Sequence, residues 1–185
     1  MELVRTLIDH DQQYAEPALP QGLRELYDGD LHFPTPPDQR PFVIGNFVST
    51  LDGVVSYKLK DHAGGSTISA SDPADRFIMG LLRAAADAVM VGAGTFHDVS
   101  PNGLWVPEYT YPDAKHLYSQ YRVKVLHKPE YPLVVIVSGS GRLELGRAIF
   151  RTPGVQTVVI TTSAGRDELA RAGATKLGCV QRYML

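Results

Sequence analysis

The segment from Asp72 to Thr95 constrains the fold most, because it combines the signals of a helix with those of a strand that follows directly. Asp72 is a suitable N-cap, Pro73 fits the first helical position, and Asp75 favours the positive end of the helix dipole. Ala88–Val91 is a short apolar run between a charged residue and glycines, which is the pattern of a buried strand. The apolar stripe of the predicted helix consists of Phe77, Ile78, Leu81, Leu82 and Ala85.

The rest of the chain continues this alternation. Strands are predicted at Phe42–Val48, Ala88–Val91, Leu133–Val137 and Val155–Thr161. Further short helices are predicted at Leu3–Ile8, Leu23–Tyr27 and Arg166–Arg171, with Gly173 beyond the end of the last one. Strands that alternate with helices predict an α/β domain with a mostly parallel central sheet flanked by helices.

Length and composition fit one ordinary hydrophobic core. A chain of 185 residues can bury such a core without disulfides or metals, and 44% hydrophobic with 21% charged residues is typical of a globular protein. Prolines are concentrated before residue 42. We therefore expect residues 1–40 to form a proline-rich N-terminal arm and residues 41–185 to form the α/β domain.

Several classes of function are not expected. The net charge of −2, without a stripe of Lys and Arg, gives no reason to expect a nucleic-acid partner. Cys179 is the only cysteine, so neither a disulfide framework nor a cysteine metal cluster is expected. The N-terminus lacks the apolar core of a signal peptide and no apolar run approaches the ~20 residues of a membrane span, which predicts a cytoplasmic location without a membrane partner. No metal is expected either, because none of the histidines has the spacing of a helical zinc site: His10, His32, His62, His97, His116 and His127.

Three segments could meet a ligand. Gly92-Ala93-Gly94-Thr95 is predicted to be a tight loop after a strand, in which glycines at positive φ leave backbone N–H groups uncovered beside the Thr95 hydroxyl. Ser49-Thr50-Leu51-Asp52-Gly53 places hydroxyls and a carboxylate at the end of another predicted strand, and its alternative is a plain Asp-Gly turn. Gly64–Ser69 is suited to the wall of a pocket, and its alternative is a surface loop that leads to the helix cap. Glycine-rich strand ends also occur where nothing binds.

Taken in order, these motifs resemble a known family. The Ser-Thr-Leu-Asp-Gly end of Phe42–Gly53, the Ser/Thr-rich loop, Leu81–Ala84 and Asp87–Thr95 look like the riboflavin-biosynthesis reductase domain, the C-terminal domain of a bifunctional deaminase-reductase. That domain has a fold similar to dihydrofolate reductase. The resemblance covers residues 41–172 and is clearest over residues 42–101.

The resemblance implies an NADPH-dependent reductase that converts the ribose of a phosphoribosylaminopyrimidine to a ribityl chain by hydride transfer. The cofactor-binding residues it implies are Ser49, Thr67, Ser69, Gly92, Gly94, Thr95 and Ser138. The substrate-binding residues it implies are Ser66 and Arg83, the latter for the phosphate, which a guanidinium group suits. The general acid is unknown; Asp98 is the nearest candidate, and its alternative is a loop aspartate that binds nothing.

Two departures from the family pattern leave other functions open. Val99-Ser100-Pro101 stands where the family has Asp-Asp-Pro, and the arginine that usually follows is absent. The chain also ends at Gln181–Leu185 before the family's Glu-Gly-Gly-Pro-type loop, so we expect a C-terminally short member, or one completed by another subunit in a homodimer. The alternatives are a non-catalytic or weakly nucleotide-binding member, and a reductase of another small substrate such as a dihydrofolate-like acceptor.

Overall fold

The computed structural model describes residues 3–5, 7, 18–33, 40–57 and 65–174 of the chain. It divides the chain into two compact units. Unit 1 comprises Met1–Ala85 and Val106–Glu130, and unit 2 comprises Ala86–Trp105 and Tyr131–Leu185. The arm over residues 1–40 stays a prediction. Sequence features that lie outside the described residues are His10, His62, Gly64, Cys179, Gln181–Leu185 and most of the predicted helix Leu3–Ile8, of which Leu3 and Val4 form a bend.

The regular elements agree with most of the sequence predictions. The α-helices are α1 (Gln21–Tyr27), α2 (Gly65–Ile68), α3 (Pro73–Ala85), α4 (Ala93–Asp98), α5 (Pro107–Thr110), α6 (Lys115–Gln120) and α7 (Ser163–Arg171). The strands are β1 (Ala88–Gly92), β2 (Leu133–Ser138) and β3 (Thr157–Thr161). Short 3-10 helices lie at Pro112–Ala114 and Ala148–Phe150, and a π-helical turn lies at Tyr121–Val125. Helix α7 begins earlier than predicted because Thr162 caps it, with its Oγ1 accepting a hydrogen bond from Gly165 N at 3.1 Å.

Unit 2 is a parallel sheet with helices packed on it. Its three strands lie in the order β1-β2-β3, and both pairs are parallel. The register places Val91 opposite Ile136 and Ile136 opposite Val159, so these side chains share one face of the sheet. The α/β class with a mostly parallel sheet flanked by helices is therefore confirmed. The buried core on this face consists of Phe96, Trp105, Val134, Ile136, Leu143, Ile149 and Leu169.

The prediction that β1 is a buried strand is wrong. Val89 and Val91 are half-buried against the core, but Met90 on the opposite face is 65% exposed. Among the described residues β1 pairs with β2 alone, so it is an edge strand, and the core covers only one of its faces. An apolar run does not distinguish a strand covered on both faces from an edge strand covered on one.

The strand predicted at Phe42–Val48 does not form among the described residues. Residues 41–50 carry no regular secondary structure, and the side chains of Val43 and Phe47 are 80% and 77% exposed. A strand requires a neighbouring edge to supply hydrogen bonds, and the described residues give this segment none. Along residues 41–57 the backbone hydrogen bonds begin at Thr50, whose N–H donates to Val54 O.

Unit 1 is built on α3. Its start is capped as predicted, because Asp72 Oδ1 accepts hydrogen bonds from Ala74 N at 2.9 Å and Asp75 N at 3.0 Å. The predicted stripe faces the core, with Phe77 and Leu81 fully buried. The buried cluster around it consists of Leu19, Leu23, Phe77, Leu81, Ala84, Ala85, Ala114, Tyr118 and Tyr121.

The C-terminal end of α3 is closed by basic side chains. Arg122 is 1% exposed, and its Nη1 donates to Arg83 O at 3.2 Å and to Ala84 O at 2.8 Å. Lys128 Nζ donates to Ala85 O at 2.6 Å. These carbonyl groups belong to the last turn and accept no hydrogen bond from within the helix. Cations at a helix C-terminus also interact favourably with the helix dipole. The end of α3, and with it Arg83, is thereby fixed.

Candidate functional site

The segment Gly92–Thr95 is the start of a helix rather than a tight loop. Strand β1 runs directly into α4, with Gly92 as its N-cap at φ −80°. The prediction of glycines at positive φ is therefore wrong, since neither Gly92 nor Gly94 is among the residues that adopt it. A Cβ atom placed on either glycine would meet nothing within 4 Å. The two glycines consequently leave open space beside the first turn of α4.

The first turn of α4 offers polar groups to that space. Its leading N–H groups have no acceptor within the helix, which is general for the first four residues of any helix. Thr95 and Asp98 are both exposed and lie three positions apart, so they share one face of α4. The Thr95 hydroxyl and the Asp98 carboxyl group therefore lie on the same surface of unit 2.

Ser138 lies on the adjacent strand at the same edge of the sheet. Gly92 is opposite Val137 in the register, so the carboxyl ends of β1 and β2 meet here. Ser138 is 1% exposed, and its Oγ accepts a hydrogen bond from Gly141 N at 3.1 Å. In this structure the Ser138 side chain closes the turn after β2. Its contact with a cofactor stays a prediction.

The turn after β2 packs tightly on the start of α7. Gly141 has φ +68°, and a Cβ on it would lie 2.0 Å from Gly165 O. Thr162 Oγ1 donates to Gly139 O at 2.8 Å. These contacts hold the loop after β2 against the helix that follows β3.

In unit 1 the structure brings Val48 near Gly65, the residues that precede Ser49 and Ser66. Val48 Cγ1 lies 3.4 Å from the position a Cβ would take on Gly65. Ser49 and Ser66 are exposed, whereas Thr67 is half-buried. Ser69 Oγ is buried and has no hydrogen-bond partner among the described residues.

Asp52 and Gly53 form a plain Asp-Gly turn, which was the alternative interpretation of the segment Ser49–Gly53. Thr50 N donates to Val54 O at 2.9 Å, Gly53 N donates to Thr50 O at 3.0 Å, and Gly53 has φ +87°. The Thr50 hydroxyl bonds the Asp52 carboxylate. The polar atoms of this turn are therefore already engaged with one another.

Arg83 lies at the opposite end of α3 from the segment Ser66–Ser69. Ten residues of α-helix separate it from Pro73, a rise of about 15 Å. Its Nη1 donates to Val106 O at 3.5 Å and its Nη2 contacts Met79 Sδ at 3.3 Å. Burial lowers the pKa of the Arg83 guanidinium to about 10, and the nearby Tyr109 opposes this shift. The side chain remains a cation at neutral pH.

The comparison with protein families decides the identity of the fold. A family model described as the RibD C-terminal domain matches residues 41–177. The chain belongs to the RibD C-terminal domain family. No curated protein matches it.

Membership in the RibD C-terminal domain family confirms the family that the sequence motifs resemble. The family has a dihydrofolate reductase-like fold, so the prediction of that fold is confirmed. It also makes this chain a riboflavin-pathway, reductase-like domain with an oxidoreductase-type scaffold. Such domains generally bind NADPH.

The residues present fit a nucleotide cofactor. The open space at Gly92 and Gly94 admits a phosphate or ring close to backbone N–H groups, as the approach of a nucleotide requires. Among the described residues no cluster of three or more His, Cys, Asp or Glu side chains could hold a metal ion. None of the helices in the described ranges is long and apolar enough to cross a membrane.

Sequence reasoning missed the buried arginines that shape these segments. Arg147 is 7% exposed and bonds the end of α4, as Arg122 bonds the end of α3. Arginines of this kind carry no local signal, because an arginine in a loop or short helix is usually exposed.

Proposed function

We propose that this protein is an NADPH-dependent reductase of the riboflavin-biosynthesis type, which reduces the ribose of a phosphoribosylaminopyrimidine to a ribityl chain. The observation that carries the proposal is the family match over residues 41–177, because it includes every residue in the proposed site. The open N-terminus of α4 at the carboxyl end of β1 supports it.

The β1–α4 junction is the proposed cofactor-binding element. NADPH, when bound, supplies the hydride, and the protein has to hold and orient it. Gly92 and Gly94 allow close approach, while the first-turn N–H groups and the Thr95 hydroxyl donate hydrogen bonds. Ser138 belongs to the proposed cofactor set through its place at the end of β2. Ser49, Thr67 and Ser69 belong to it through the family resemblance.

Arg83 and Ser66 are the proposed substrate residues. A half-buried guanidinium that stays charged at neutral pH suits a phosphate group, since it donates in a planar fork. Asp98 is exposed on the face of α4 that also carries Thr95, so its carboxyl group is open to a substrate. We propose Asp98 as the general acid.

The proposal is tested first by titrating the protein with NADPH and following the cofactor's fluorescence. We expect saturable binding, and an absence of binding at millimolar NADPH overturns the proposal. Oxidation of NADPH is then measured with the phosphoribosylaminopyrimidine. Arg83→Met is expected to raise the KM for that substrate and to leave NADPH affinity unchanged. Arg76→Met on the same helix is the matched control, because the Arg76 side chain is also half-buried and its Nε donates to a backbone carbonyl, Thr110 O, at 2.6 Å.

A nucleotide-binding protein without this activity, or a reductase of a dihydrofolate-like acceptor, is the second candidate. Val99-Ser100-Pro101 lacks the carboxylates of the family pattern, and a turn begins at Ser100, where Gly103 N donates to Ser100 O at 2.7 Å. NADPH binding without oxidation by the phosphoribosylaminopyrimidine favours this candidate. Oxidation of NADPH in the presence of dihydrofolate would then indicate a reductase of a dihydrofolate-like acceptor. No oxidation with dihydrofolate would indicate a nucleotide-binding protein without this activity.

We also propose that the protein is a homodimer in the cytoplasm. Among the described residues β1 and β3 pair only with β2, so each has an open edge that a second chain could cover. The single cysteine agrees with a reducing compartment. Sedimentation equilibrium distinguishes the dimer from a monomer.

A further inference from the structure

Much of the exposed apolar surface of the protein lies in residues 42–57, which we call the apolar segment. Residues 41–49 make no backbone hydrogen bond among the described residues, and the chain then reverses through the turn at Thr50–Val54. Exposed apolar groups that lie close together are typical of an interaction site, because their burial lowers the free energy. Seven large apolar side chains of the segment are at least 46% exposed: Phe42, Val43, Ile44, Phe47, Leu51, Val55 and Tyr57.

The second face of the unit 2 sheet is also apolar and is only partly covered. The register aligns Met90 with Val135 and Val135 with Val158, on the face opposite the buried core. The next row on that face contains Val137 and Ile160. Parallel sheets are as a rule covered on both faces. This face nevertheless has four large apolar side chains that are 36–65% exposed: Met90, Val137, Val158 and Ile160.

Strand β1 has an open edge beside this face. It pairs only with β2 among the described residues, so the backbone groups directed away from β2 have no ladder partner there. Natural edge strands are commonly protected from further pairing by charged side chains, proline or a bulge. Ala88–Gly92 contains neither a charge nor a proline, and its register with β2 runs without a bulge. An extended segment can therefore add to this edge.

We propose that the apolar segment of one copy docks on unit 2 of a second copy, with residues 42–48 added to the β1 edge, and that the second copy returns the same contact. The segment lacks backbone partners and the edge lacks a neighbouring strand, so each supplies the hydrogen bonds that the other needs. Reciprocal exchange of an identical segment closes a twofold dimer. The inference rests on the homodimer of the proposed function and names its contact; it does not depend on the reductase activity.

The side-chain pattern of residues 42–48 fits this edge. In a strand, Val43 and Phe47 lie on the same face, and they are 80% and 77% exposed in the single chain. Beside β1 they extend the row of exposed apolar side chains that begins at Met90. Neither residues 41–49 nor the exposed positions of the sheet face carry a charged side chain, so the contact desolvates no charge.

The available apolar surface is large enough for a stable dimer. Specific interfaces bury about 800 Å² per partner. An aromatic side chain can bury about 150–250 Å², so Phe42, Phe47 and Tyr57, at 51%, 77% and 48% exposed, supply about 350 Å² together. The other apolar side chains of the segment and of the sheet face supply the remainder, because in a reciprocal contact every copy contributes both surfaces.

Sedimentation equilibrium tests the contact with Phe47→Asp and Met90→Asp. Both side chains are exposed in the single chain, so a carboxylate there costs little in the monomer but is buried in the dimer. We expect each substitution to raise the Kd of the dimer at least about 100-fold. Val125→Asp is the matched control, since Val125 is 44% exposed and lies outside both surfaces, and it should change the Kd less than about twofold.

Two mixed dimers distinguish exchange from symmetrical contacts of like with like. Phe47→Asp copies mixed with Met90→Asp copies keep one contact in which the segment and the edge are both unaltered. The double variant mixed with the unaltered protein keeps none, although that mixed dimer contains the same two substitutions. With one component labelled and each homodimer Kd measured separately, we expect the first mixed dimer to associate at least about tenfold more tightly.

Each outcome either supports or overturns the inference. If the unaltered protein is a monomer, the proposed homodimer fails and the inference fails with it. If the protein is a dimer and either aspartate substitution leaves its Kd unchanged, the inference alone is overturned. Equal association of the two mixed dimers overturns it too, because contacts of like with like weaken both equally. If Met90→Asp does not fold, Met90→Thr replaces it, since threonine suits a strand.

Discussion

Replacing Arg122 by methionine tests how unit 1 is held together. Arg122 is fully buried at 1% exposure, and its side chain joins the end of α3 to the segment that follows the π-helical turn. Methionine has a similar length and no charge, so the substitution removes the donors without leaving a large cavity. We expect Arg122→Met to destabilise unit 1 and to release the C-terminal end of α3.

The magnitude follows from the hydrogen bonds that are lost. Arg122 donates to Arg83 O at 3.2 Å, to Ala84 O at 2.8 Å and to Pro129 O at 2.9 Å. Hydrogen bonds from a charged group each contribute about 1.5–3 kcal/mol. Part of this is offset because a buried cation no longer has to be desolvated. We therefore expect the free energy of unfolding to fall by about 3–5 kcal/mol.

Urea unfolding followed by circular dichroism measures the change, and amide hydrogen exchange in α3 locates it. Lys124→Met is the matched control, since Lys124 is exposed in the same π-helical turn. A loss below about 1 kcal/mol for Arg122→Met, similar to that of the control, would refute the reasoning. Unchanged exchange at the last turn of α3 would refute it as well.

Three further substitutions have defined outcomes. Glu144→Gln should reduce the loss of stability in acid, as urea midpoints measured against pH would show, because the bond from Arg147 Nε holds the pKa of the Glu144 carboxyl below its usual range. A carboxyl group with a lowered folded-state pKa stabilises the fold above its unfolded pKa and loses that contribution as pH falls through the folded value. Gly141→Ala should lower the free energy of unfolding by about 2–4 kcal/mol, because Gly141 has a positive φ and a Cβ on it would collide with Gly165 O. Gly139→Ala should be nearly neutral in the same unfolding assay, because a Cβ on Gly139 would meet nothing within 4 Å. Asp72→Ala should lower the melting enthalpy and cost about 1 kcal/mol through loss of the α3 N-cap, as calorimetry can detect.

The elements that sequence predicted well are those with local signals. Helix α3 was predictable because its N-cap, Asp72, and the apolar stripe that follows lie close together in the sequence. Strand β2 was predictable from a continuous apolar run. The β1–α4 junction was predictable as a place but not as a conformation, because glycine is compatible with both a tight loop and the N-cap of a helix.

The features that sequence could not predict depend on distant residues. Phe96 O and its donor Arg147 are 51 positions apart, and Ala84 O and its donor Arg122 are 38 positions apart. Nothing near an arginine in the chain reveals which carbonyl it will reach. The exposure of Phe42–Val48 was unpredictable for a related reason, since an apolar run does not state whether a strand edge is available beside it.

The packing of Trp105 gives unit 2 an optical property. Trp105 is the single tryptophan of the chain, is 6% exposed, and stacks on Phe96 of α4 with ring centroids 6.3 Å apart. All indole emission of the protein therefore originates beside the helix whose first turn is the proposed nucleotide contact. Reduced nicotinamide absorbs light in the band in which tryptophan emits. A cofactor held at Gly92–Thr95 would lie close enough to accept that excitation energy, so the protein contains its own donor for measuring occupancy.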